Sequence, residues 1–159
     1  MRRTLLVALA AVVGGTLLVG TAAAASVHWK RLPTFTDQGT TLKISGALAG
    51  LGNKDVTITA VAEGVATSIT CENPRGKLAP GQNKPRVRSL GEITISKTEI
   101  KNGNVSFSLT TRDPAQLSAK AAGCPNNRWT ATINDVEFDE VSLTVEQGGK
   151  VVLSGSFSI

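Results

Sequence analysis

Tyrosine is absent, methionine and histidine occur once each, and the aromatic residues are two tryptophans and four phenylalanines in a chain of 159 residues. So few rings argue against an exposed aromatic platform for sugars or nucleobases. His28, the lone histidine, lies close to the start of the exported chain, where ends are commonly mobile, and this argues against a Ser-His-Asp site. Charged residues make up 18%, below the roughly 25% of ordinary globular proteins, while Gly, Ser, Thr, Val and Ile are plentiful. That balance excludes a disordered chain and a coiled coil, and fits poorly with a nucleotide-binding βαβ fold. Cys71 and Cys124, the only cysteines, lack C-x-x-C spacing, which speaks against a redox or zinc pair.

What is present first points to export. Met1-Arg2-Arg3 is a positive start, Leu5 to Val19 is apolar apart from Gly14, Gly15 and Thr16, and Thr21 to Ala25 are small. This is the order of a secretory signal cleaved after Ala24 or Ala25, residues 1–25, with an uncleaved anchor as the rival. The paired arginines suit ordinary secretion better than a twin-arginine route. No cysteine near the cleavage region could carry a lipid. Residues 26–159 then form one domain, large enough for its own core. In an oxidising compartment Cys71 and Cys124 are expected to pair, stabilising the domain by about 4 kcal/mol in the chain-entropy model. The expected location is extracellular, with wall association open.

Most of the exported chain alternates apolar and polar residues with period two, as strands with one buried face do. Leu42, Ile44 and Leu48 share a parity, then Val56, Ile58 and Ala60. Ala62-Glu63-Gly64 reads as a turn, followed by Val65, Thr67, Ile69 and Cys71 on one face. Ile93 and Ile95 precede Asn102-Gly103, a two-residue hairpin loop that sets Ile100 opposite Val105 and leads to Phe107 and Leu109. At Gln147-Gly148-Gly149 a three-residue loop is expected, pairing Val145 with Val151, Leu143 with Leu153 and Glu146 with Lys150, with Gly149 left-handed. Between them Asp113 reads as a helix N-cap, Pro114 as the first helical position, Ala115 to Ala122 as helix and Gly123 as its stop. Trp129, Ala131 and Ile133 run on one parity, Val136 and Phe138 on the other, and Val141 on the first again. The two slips predict bulges near Asn134-Asp135 and Asp139-Glu140. Trp129, Phe107, Phe138 and Phe157 are expected in the core, and Trp29 in an exposed arm. The whole predicts an all-β, antiparallel two-sheet sandwich, immunoglobulin-like in the broad sense, with one short helix before Cys124 and one disulfide; a closed barrel is second.

Glu72 to Ser89 is the most distinctive segment, with three of the six prolines and five basic residues: Arg75, Lys77, Lys84, Arg86 and Arg88. A loop this long is functional, disordered, or a solvated crossover between sheets. Without Arg2 and Arg3 the chain carries 15 basic and 12 acidic residues, a modest +3. No aromatic is interleaved among the five cations, so nucleic acid is not an expected ligand. Asp135, Glu137 and Asp139 alternate with Val136 and Phe138 and read as a solvated strand face, one that could face the basic loop. They lack the spacing of a calcium loop and the opposed placement of a glycosidase pair. Asn104-Val105-Ser106 matches a glycosylation acceptor, a pattern that also arises by chance.

Cys71-Glu72-Asn73-Pro74 with Pro80-Gly81-Gln82-Asn83, and Gly123-Cys124-Pro125 with Trp129, resemble motifs of small exported β-proteins of actinomycete-type bacteria and filamentous fungi. The resemblance implies fold and export, and no activity. The expectation is therefore a non-enzymatic, monomeric domain without metal or cofactor. It would bind an extracellular protein or an anionic cell-envelope polymer through the five basic residues. The membrane would be met only through the signal. A protease inhibitor presenting Lys77, Lys84 or Arg86 is the alternative, and a hydrolase using Asp135 or Glu137 ranks third.

Overall fold

The computed structural model describes residues 26–159, so the secretory signal expected at 1–25 lies outside the described residues. Eight strands and one helical turn follow each other: β1 (His28–Asp37), β2 (Leu42–Ala49), β3 (Val56–Glu72), β4 (Leu78–Pro80), β5 (Arg86–Ile95), β6 (Val105–Thr110), α1 (Ala119–Ala122), β7 (Thr130–Gln147) and β8 (Lys150–Ser158). They form the antiparallel two-sheet sandwich. One sheet has the order β1-β2-β6; the other runs β4-β3-β7-β8, with β5 beside β4 on the same flank of β3. Leu42, Ile44 and Leu48 of β2 and Phe107 and Leu109 of β6 meet Val56, Ile58 and Ala60 of β3 and Val141, Leu143 and Val145 of β7 in one buried cluster. These are the residues whose period-two alternation is visible in the sequence.

β3 and β7 are long, 17 and 18 residues, and the ribbon they make continues to the disulfide end. There Ile69, Cys71 and Ala131 are buried, and α1 contributes buried Ala119 and Ala122. Cys71 and Cys124 are bonded, with Cα atoms 5.7 Å apart. On one flank the sheets are stitched by the Arg112 amide, which donates to the Leu90 carbonyl at 2.7 Å. The opposite flank is filled by rings: Trp29 lies 6.3 Å from Phe107 and 5.9 Å from Phe157, and Phe35 lies 5.7 Å from Phe157.

Six local expectations are corrected. Ala62-Glu63-Gly64 is not a turn; β3 runs straight through it. A Cβ at Gly64 would collide with the Glu137 carbonyl oxygen and lie 2.8 Å from Phe138 Cα. Glycine is there because a bulge in β7 presses backbone on backbone, a constraint easily mistaken for turn chemistry. Beyond it Ala66, not Val65 or Thr67, is buried, because β3 shifts register between Ala66 and Ser68. The helix is a single turn capped by Ser118, whose Oγ accepts from the Ala121 amide at 3.1 Å. Asp113 instead accepts from Thr40 Oγ1 at 2.6 Å, so a side-chain partner on a distant segment has taken the expected cap; Gly123, φ 70°, does stop the helix.

At the last hairpin the loop has two residues. Gln147 pairs with Lys150 and Glu146 with Val151, and a shift before Val145 gives Val145 with Leu153 and Leu143 with Gly155. Gly148 and Gly149, φ 60° and 77°, permit the tight left-handed turn, and a bulge in β8 then restores apolar pairing. Finally, Trp29 is a half-buried part of β1 and not an exposed arm, while Trp129 is half-buried and outside the core cluster. β1 escapes detection because two register shifts, at 29–31 and 31–34, break its period.

Both bulges expected in β7 are present: Asn134 and Asp139 are the extra residues where the β3 register shifts. Asn102-Gly103, φ 50° and 74°, closes the two-residue hairpin through Lys101 and Asn104.

Candidate functional site

The segment 72–89 is largely ordered by backbone pairing. Asn73 builds a tight turn: its Oδ1 accepts from the Arg75 and Lys77 amides, each at 2.9 Å, and its own amide donates to the Lys77 carbonyl at 3.0 Å. β4 then pairs with the end of β3, placing Cys71 opposite Ala79. Asn83 docks on α1, its amide donating to the Ala122 carbonyl at 3.2 Å and its Nδ2 to the Ala121 carbonyl at 3.1 Å. Orphan carbonyls at the helix end thereby gain partners. From Arg86 on, the chain is β5.

This folding divides the five basic residues named from the sequence. Arg75, Lys77 and Lys84 stay at the disulfide end, all exposed. Two further exposed cations join them, Lys120 on α1 and Arg128 before β7, because the Cys71–Cys124 bridge and the Asn83 contacts tie 118–132 to 69–85. Sequence inspection overlooked both. The signal that could have found them is the disulfide, which folds the Cys124 neighbourhood onto that of Cys71. Glu72 is the one carboxylate in these two stretches, so the disulfide pole carries five positive charges against one negative, a net +4. Since residues 26–159 sum to +3, the rest of the domain is −1. Leu78, 61% exposed, adds an apolar side chain beside Lys77.

Arg86 and Arg88 belong to a different surface. The Arg86 guanidinium grips Asp139 with two hydrogen bonds, 2.7 and 2.9 Å, and stands 3.9 Å from Glu63. Arg88 pairs in register with Glu63, which in turn pairs with Glu140. The Arg86 hydrogen bonds hold the Asp139 carboxyl below its ordinary range, and Asp139 in return raises the pKa of Arg86. Of the acidic strip, Asp139 therefore faces a basic side chain, and the carboxylates of this surface outnumber its two arginines.

No group of His, Cys, Asp and Glu among the described residues could hold a metal ion. The cleft of about 250 Å³ bounded by Thr40, Gln116 and Thr132 contains a single titratable group, Asp113, already hydrogen-bonded to Thr40. Asp135 accepts from Thr67 Oγ1 at 2.6 Å, and Asp139 is ion-paired with Arg86. Among the described residues no helix is long and apolar enough to cross a membrane. Comparison with protein-family models, curated proteins and solved structures gives no match to the chain.

Proposed function

We propose that this is an exported, non-enzymatic binding domain whose disulfide pole docks an anionic partner, either an acidic cell-envelope polymer or the acidic surface of an extracellular protein. The observation that carries this is the charge separation: +4 within 69–85 and 118–132, −1 over the remainder. Like charges repel, so a fold that concentrates them on a tethered end favours an oppositely charged ligand. Order supports the same reading, because the backbone that carries Arg75 and Lys77 is fixed by the Asn73 turn and that beside Lys84 by the Asn83 contacts, so binding need order only side chains.

The inhibitor alternative gains less from this geometry. Lys77 sits in a tight turn instead of an extended segment, Lys84 is followed by Pro85, and Arg86 is engaged by Asp139.

The test uses long-chain polyphosphate as the probe, with affinity measured at several salt concentrations. The triple variant R75Q/K77Q/K84Q is expected to bind at least tenfold more weakly, about 1.4 kcal/mol, with a flatter salt dependence. R86Q/R88Q should change affinity far less. Equal loss from both variants, or none from the first, would overturn the proposal.

A further inference from the structure

Open sheet edges invite pairing with other chains, and proteins blunt them with charge, proline, bulges or covering segments. Three edges of this sandwich are treated so. β1 carries Lys30, Arg31, Pro33 and two register shifts. β5 carries Arg86, Arg88 and Glu92 and is met by the Arg112 amide, and β4 has only three residues. β6 lies against β5 on that stitched flank. β8 is the exception. Among the described residues no strand pairs with its outer side, and Val151–Ile159 contains neither charge nor proline. Its one bulge lies at the hairpin end, leaving Leu153 to Ser158 in unbroken register with β7.

The content of that run selects the occupant. Leu153, Gly155 and Phe157 face the half-buried aromatic flank, and exposed Ser154, Ser156 and Ser158 face solvent. Two identical antiparallel strands related by a two-fold axis must oppose residues of the same parity. Centred on Gly155, such a pairing sets Leu153 against the other copy's Phe157, Ser154 against Ser156, and Gly155 against itself. Centred on Ser156, it again sets serine against serine. The new strand would cover the flank on which Trp29, Phe35 and Phe157 are only half-buried.

We infer that β8 is a self-association edge, through which a second copy of this chain adds β8 to β8 and continues the five-stranded sheet across a two-fold axis. This holds whether or not the disulfide pole binds anions.

Sedimentation equilibrium on the purified, oxidised protein tests it. The expected result is a concentration-dependent dimer that becomes monomeric in S154K/S156K, whose like charges oppose each other in either register, while S106K on β6 still dimerises. A monomer at every concentration, or a dimer that survives S154K/S156K, would overturn the inference. If S154K/S156K fails to fold, hydrogen exchange on the wild-type protein decides: the amides of Leu153 to Ser158 that point away from β7 should gain about tenfold protection as concentration rises. Unchanged protection there would contradict self-pairing.

Discussion

Single residues in this protein matter most where backbone meets backbone or charge meets charge. At Gly64 the two long strands touch with no room for a side chain, so Gly64→Ala must either shift the β7 bulge or break local pairing. A loss of about 2–4 kcal/mol is expected, read as a lower midpoint in urea denaturation. The Arg86–Asp139 pair makes a pH-dependent claim. Asp139 titrates below its ordinary value of 3.8 in the folded protein. Its contribution to stability is therefore complete above that value and is lost as pH falls through the lower, folded one. Both side chains are about half exposed, so solvent keeps the energetic effect small, but the titration is observable. In R86A the Asp139 carboxyl resonance should titrate at higher pH than in the wild-type protein; an unmoved midpoint would show that the guanidinium does not hold it. Neither residue is distinctive by type: the acidic strip and the basic loop are both visible in the sequence, whereas the bulge that turns Asp139 toward Arg86 selects the pair.

Among the elements, the legible ones are those whose apolar period survives intact. β2, β6 and both ends of β7 bury every second residue, and the parity slips in the β7 sequence mark its bulges at Asn134 and Asp139. The same logic fails where tertiary contacts supply what local chemistry does not. Ala62-Glu63-Gly64 has turn composition yet lies in mid-strand, held on both sides by β5 and β7. β8 satisfies two demands at once, a two-residue Gly-Gly turn and apolar register, by adding a bulge that a count of loop lengths does not consider. The disulfide acts at this scale too, joining the end of β3 to the chain leaving α1 across 53 positions. Replacing both cysteines with alanine should lower the unfolding free energy by about 4 kcal/mol in the chain-entropy model. Trypsin should then cleave at Arg75 or Lys77 much faster than in the bridged protein. Equal cleavage rates would mean that the Asn73 turn and β4 pairing hold the pole without the bridge.

For the whole molecule the decisive property is how charge is distributed around the sandwich. Summed over residues 26–159 the charge is unremarkable at +3, and composition alone gives little reason to expect an anionic partner. The fold separates that sum into a +4 pole and a weakly negative remainder, by carrying Arg86 and Arg88 away on β5, where Arg86 pairs with Asp139, and by recruiting Lys120 and Arg128. Three of the five cations of the candidate site were thus legible in the basic segment 72–89. The other two required knowing what the disulfide and Asn83 bring beside it. Dimerisation through β8 would set two such poles at opposite ends of a continuous sheet, so a long polyanion could gain avidity from both.

The most direct test of the charge-pole account is residue-resolved: amide chemical shifts followed while polyphosphate is titrated into the purified, oxidised protein. Shifts concentrated at 73–77, 84, 120 and 128, weakening as salt screens the charges over roughly 8 Å at physiological ionic strength, are the predicted result. Shifts centred on Arg86 and Arg88, or spread evenly over the domain, would contradict it.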